Sequence, residues 1–60
     1  MERIEVVLRR LSDGSEAWDV VYGNRLLPAV TMHDAAELAQ KIQLAIHDHT
    51  NETAEIVWSE

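Results

Sequence analysis

The residues best suited to holding a metal are three histidines, His33, His47 and His49. The string His47-Asp48-His49 sets a carboxylate between two imidazoles. On a helix, residues two apart point to nearly opposite sides, so His47 and His49 cannot chelate one ion there. His33 lies roughly four turns from His47. A helical site wants histidines at i and i+4, as in His-Glu-x-x-His, and no metal is expected. The nucleophiles are equally sparse. There is no cysteine, and Ser12, Ser15 and Ser59 fall in a turn or at the terminus. No Gly-x-Ser-x-Gly elbow is present, and Gly14 and Gly23 form no phosphate cradle. Carboxylates are plentiful, but acid–base work needs a pocket that shifts their pKa values. A chain of 60 residues offers little room for one. The reading is a protein without catalytic residues and without a cofactor.

Three aromatic residues, Trp18, Tyr22 and Trp58, have the chemistry to stack nucleic-acid bases. Such platforms work beside a positive groove. Here five Lys/Arg face eleven Asp/Glu, for a formal charge of −6. The basic residues Arg3, Arg9, Arg10, Arg25 and Lys41 are too few for a phosphate grip. All three aromatics also fall in the inward phase of their segments, so they are expected in the core. Direct nucleic-acid binding is not expected.

Length bounds the elements that must position these groups. Residues 1–60 make one small domain, and 47% of them are hydrophobic, too many for a disordered tail. The longest apolar run, Leu26 to Val30, is too short to span a membrane or to serve as a secretory h-region. A cytoplasmic location is the corresponding expectation, with no membrane contact. A domain this small buries only about 60% of the surface its unfolded chain exposes. Oligomers or partners commonly support such cores.

The first segment, Arg3 to Leu11, alternates. Ile4, Val6 and Leu8 point one way and Glu5, Val7 and Arg9 the other, as in a half-buried strand. Trp18, Val20 and Tyr22 alternate against Ala17, Asp19 and Val21. A three-residue loop of Ser12, Asp13 and Gly14 places glycine at the left-handed position of a bulged hairpin. That loop sets Arg10 opposite Glu16, Leu8 opposite Trp18 and Val6 opposite Val20. Gly23-Asn24 marks a second tight turn before a third strand, Arg25 to Val30. Pro28 lacks a donor, which assigns that strand to a sheet edge.

A helix follows. Thr31 stands three residues before Asp34, an acidic variant of the capping box. Ala35, Leu38, Ala39, Ile42, Ala45, Ile46 and His49 recur at helical spacing and predict the inward face. Glu37 and Lys41 stand in the favourable i,i+4 order, and Asn51 suits the C-cap. Thr53 to Trp58 alternates again and predicts a last strand. The expected fold is α+β, in the order β-β-β-α-β: a three- to four-stranded sheet with one amphipathic helix on one face. A last strand parallel to the first and third fits this order, with either as its neighbour.

One helix leaves the second sheet face open. That face is predicted to carry Val7, Val21 and Val57, with Leu26 and Val30, among Glu5, Arg9, Asp19 and Glu55. Leu44 is the lone large apolar residue predicted on the outer helix face. The acids are spread along the chain, at Glu2, Glu5, Asp19, Glu37, Asp48, Glu52, Glu55 and Glu60.

The passage Trp18 to Ile46, with Thr31-Met32-His33-Asp34-Ala35-Ala36-Glu37-Leu38-Ala39 at its centre, resembles the strand-to-helix passage of HicB-type antitoxin domains. That resemblance implies binding of a small ribonuclease toxin. The chain lacks the proline- and glycine-rich strand ending usual in that family, and a separate DNA-binding segment. In size and charge the chain is similar to phage-encoded inhibitors such as anti-CRISPR proteins and other nucleic-acid mimics.

Two expectations follow. In the first, a non-enzymatic inhibitor binds a host protein complex through an acidic surface of Glu37, Asp48, Glu5, Asp19 and Glu55, blocking its nucleic-acid site. In the second, an antitoxin-like or self-assembling domain, including a homodimer, uses the open sheet face around Val7, Val21 and Val57, with Leu44 a further anchor on the helix.

Overall fold

The first two strands, β1 (Arg3–Arg10) and β2 (Glu16–Tyr22), form an antiparallel hairpin. In the computed structural model, which describes residues 2–59, the pairs are those that the three-residue loop dictates: Arg10 with Glu16, Leu8 with Trp18 and Val6 with Val20. Gly14 has φ +89° and donates its N–H to the Leu11 carbonyl at 3.1 Å. The Leu11 N–H donates to the Ser15 carbonyl at 2.9 Å and closes the loop. Asp13 Oδ1 accepts from both the N–H (2.9 Å) and the hydroxyl (2.6 Å) of Ser15. These bonds hold its carboxyl below the ordinary value of 3.8, the hydroxyl bond having the largest effect.

Gly23, at φ +61°, opens the two-residue turn into β3 (Arg25–Ala29). A two-residue loop makes Tyr22 and Arg25 a hydrogen-bonded pair, and alternation then turns the main-chain groups of Leu26 and Pro28 away from β2. The missing donor of Pro28 therefore costs no ladder bond, and β3 does lie at the sheet edge.

The helix α1 (Met32–Thr50) begins at Thr31, whose Oγ1 accepts from the Asp34 N–H at 3.1 Å. It ends at Asn51, which takes the left-handed conformation (φ 59°) and donates its N–H to the His47 carbonyl at 2.9 Å. The Thr50 hydroxyl donates to the Ile46 carbonyl at 2.9 Å. The chain then returns to β4 (Glu55–Ser59), guided by Gln43, whose Nε2 donates to the Ala54 carbonyl at 2.8 Å.

The sheet order is β3-β2-β1-β4, and β4 runs parallel to β1. Between the two neighbours open to it, β4 takes β1; on the outer edge of β3, Pro28 has no N–H to offer a further strand. The fold is thus α+β, with a four-stranded mixed sheet and one helix on one face. Ile4, Val6 and Val20 are fully buried on that face beneath Ala35, Ala39 and Ile46, with Ala54 sealing the end. Two alanines at the contact let the helix backbone approach the sheet closely.

Three inward expectations need correction. Ala45 and His49 are exposed although they follow the helical period. Four strands span about 19 Å, whereas a helix is only about 10–12 Å across. Over β1 and β2 the helix is seated; towards β3 its last turns leave a groove. Trp58 is likewise 45% exposed, because β4 lies at the far edge from the helix. Its ring meets that of Trp18 edge-on, with centroids 5.8 Å apart.

Candidate interaction surface

The open face of the sheet is built from the alternate residues of all four strands. Pairing places Leu26, Val21, Glu5 and Val57 in one row across it. The next row holds Pro28, Asp19, Val7 and Ser59. Across β2, β1 and β4 apolar side chains therefore alternate with polar ones, and β3 adds the apolar pair Leu26 and Pro28 at one side. Val7, Val21, Val57 and Glu5 are half-buried by their neighbours, whereas Leu26 and Pro28 stand exposed along β3 and Val30 just beyond it. Nothing on the described chain lies over these residues. For a protein of net charge −6, the face is close to neutral: Arg3 and Arg9 stand among Glu5, Asp19 and Glu55.

Asp19 departs from its expected place on a free acidic surface. It is only 8% exposed. Arg9 Nε reaches Asp19 Oδ2 at 3.1 Å, and Arg9 Nη2 donates to Oδ1 at 3.4 Å. Alternation along the strand turns Asp19 outward correctly, but flanking Pro28 and Val7 and the arching Arg9 then cover it. The other predicted acids are dispersed. Glu5 and Glu55 sit in different rows of the sheet face, Glu55 paired with Arg3 in register.

On the outer helix face Glu37, Lys41, Leu44 and Asp48 follow one another at spacings of three and four, which forms a single stripe. Glu37 Oε1 lies 3.5 Å from Lys41 Nζ, and Glu37 Oε2 lies 3.7 Å from His33 Nε2. Leu44, 64% exposed, stands between Lys41 and Asp48 on this stripe. The structure therefore brings Val7, Val21 and Val57 onto one continuous face and places Glu37, Asp48 and Leu44 on another, with Glu5 and Glu55 on the first. Glu60 lies outside the described residues.

Two features had no clear signal in the sequence. One is the groove of about 700 Å³ between β3 and the last turns of the helix, lined by Tyr22, Arg25, Leu27, Ile42, Ala45 and His49 among others. A small alanine, Ala45, and a polar histidine, His49, at inward helical phase are its only trace in the sequence. Of the lining residues, Tyr22 has its pKa held above the ordinary 10.0, chiefly through hydrogen bonding with Glu2. The other is the free edge of β4, where Trp58 lies half in solvent. Among the described residues no three His, Asp or Glu side chains converge on one point, and no helix is long and apolar enough to cross a membrane.

No family model, curated protein or solved structure matches the chain. The surfaces themselves must carry the functional reading.

Proposed function

We propose that this protein is a non-enzymatic protein-binding module whose contact surface is the open face of its sheet. One observation carries the reading. The helix covers a single sheet face, and the other presents Leu26, Val21, Val7 and Val57 on a rigid, nearly neutral platform in an otherwise acidic protein. Open faces of antiparallel sheets in monomers are normally more polar than this. The partner that fits is a protein with a flat, weakly charged apolar patch.

A second reading, the acidic inhibitor that occupies a nucleic-acid site, draws support from the overall charge and from Asp48 beside exposed Leu44 on the helix stripe. Against it, the acids Asp19, Glu16 and Glu37 already engage Arg9, Arg10 and Lys41.

Ionic strength separates the two. An immobilised copy of the protein is loaded with native lysate and washed with rising salt. Apolar contact through the sheet face predicts a partner retained at 1 M salt, where the screening length falls to about 3 Å. Release at moderate salt, with competition by DNA or RNA, would instead establish the acidic reading.

A further inference from the structure

The two edges of the sheet are built differently. At the β3 edge the outward main-chain groups belong to Leu26 and Pro28, so proline removes one of the donors a neighbouring strand would need. The β4 edge has no such guard. Its direction is fixed by one bond: the Glu55 N–H donates to the Glu2 carbonyl at 3.0 Å. Main-chain groups of Glu55 therefore face β1, and alternation turns those of Val57 and Ser59 the same way. The N–H and C=O groups of Ile56 and Trp58 point outward from the edge and take no partner among the described residues.

We propose that β4 pairs antiparallel with β4 of a second copy of this chain, about a two-fold axis at Val57. This inference stands independently of the sheet-face reading. The sequence Glu55-Ile56-Val57-Trp58-Ser59 is self-complementary in that register. Val57 meets Val57 of the partner subunit as a pair without mutual hydrogen bonds. Ile56 meets Trp58 of the partner subunit, and those are the two residues whose main-chain groups face outward. Each therefore donates to and accepts from the other, for about four main-chain hydrogen bonds across the axis.

The side chains agree with this register. Ile56 and Trp58 lie on the helix side of the sheet, so the exposed indole packs beside the partner's Ile56, an aromatic and β-branched cross-strand pair. Glu55 comes opposite Ser59 of the partner subunit, which keeps the two glutamates of the acidic chains apart. The product is one continuous eight-stranded sheet, with both open faces on the same side and both ends guarded by Pro28.

The chain has no cysteine, which makes a single introduced thiol a clean reporter. Across the proposed axis the Val57 Cα atoms lie about 4.5 Å apart, inside the disulfide range of roughly 4.4–6.8 Å. The two Glu55 positions are displaced along the strands by on the order of 13 Å. Under mild oxidation Val57→Cys is expected to convert largely to a disulfide-linked dimer, while Glu55→Cys and Val21→Cys form no cross-link and run as single chains under denaturing conditions. Light scattering of the unmodified protein is expected to give twice its 6.8 kDa chain mass. Trp58→Pro, which removes an outward donor that β1 does not use, is expected to halve that mass with the circular dichroism of the sheet retained. A monomeric mass at every concentration would overturn the proposal. So would cross-linking at Val21 in place of Val57, the mark of face-to-face stacking, or equal cross-linking at Val57 and Glu55.

Discussion

Arg9 and Asp19 are joined across β1 and β2 by two contacts, Nε to Oδ2 at 3.1 Å and Nη2 to Oδ1 at 3.4 Å, on the side of the sheet that the helix leaves open. The carboxylate is nearly closed off from water and the guanidinium is half in it. Bidentate geometry of this kind is the strong form of an ion pair. It neutralises Asp19 at the centre of the open face, beside Val7 and Pro28.

Removing the cation should therefore cost more here than at the hairpin end. Arg10 and Glu16 lie 3.3 Å apart with both side chains well exposed, and such pairs contribute about 0–1 kcal/mol. Arg9→Ala strands a covered carboxylate, at about 1–3 kcal/mol. Thermal unfolding by circular dichroism should show a Tm loss of roughly 4–8 °C per kcal/mol at this size, larger for Arg9→Ala than for Arg10→Ala. Equal losses would mean that Asp19 is satisfied by water.

The hairpin loop depends on backbone conformation rather than space. A Cβ at Gly14 would meet no atom within 4 Å, yet φ there is +89°. Gly14→Ala should destabilise the protein by about 1–2 kcal/mol, the cost of the left-handed region for an L residue. Asp13 adds a pH signature. Its pKa is lowered by the bonds from Ser15, so its contribution is present above the unfolded value and fades as pH falls through the folded one. In acid titrations followed by circular dichroism, Asp13→Ala should flatten that part of the stability curve.

Tyr22 is the sole tyrosine, so absorbance at 295 nm reports it alone. Hydrogen bonding to Glu2 raises its pKa. The titration midpoint should lie above 10.0, and Glu2→Gln should bring it back towards that value. A raised pKa contributes stability that is complete below the unfolded value and is lost as pH climbs through the folded one. Tyr22→Phe should accordingly remove a loss of stability seen only in strongly alkaline solution.

Helix seating rests on small side chains. Ala39 is fully buried against the sheet, and Ala39→Leu adds volume where the backbones approach. Denaturant unfolding should show a loss of about 1–3 kcal/mol from overpacking, although leucine is nearly as good a helix former as alanine. A neutral or stabilising result would place the helix farther from the sheet than the structure has it.

Much of this arrangement is local, and local chemistry is what a sequence displays. The Ser12-Asp13-Gly14 loop determines which residues of β1 and β2 face each other, and Thr31 and Asn51 mark both ends of the helix. Alternation correctly assigns Val7, Val21 and Val57 to one face. What escaped was long-range. The choice of β1 as the neighbour of β4 depends on where the helix returns the chain. Asp19 looks like any outward acid until Arg9, on the neighbouring strand, is seen to reach diagonally across to it. Ala45, His49 and Trp58 follow inward periods but emerge into solvent, because period describes direction and not how far a single helix can reach over four strands.

Contact through the open sheet face is decided by comparing capture of a partner from native lysate by the unmodified protein, by Val21→Asp and by the variants Glu37→Lys and Asp48→Lys. Val21 lies beside Leu26 on the face and distant from the helix stripe. The prediction is loss of the captured protein with Val21→Asp, by tenfold or more if about 1.4 kcal/mol of contact is removed, and its full retention by the two helix variants. Retention by Val21→Asp together with loss from the helix variants would place the binding site on the acidic helix stripe and not on the sheet face.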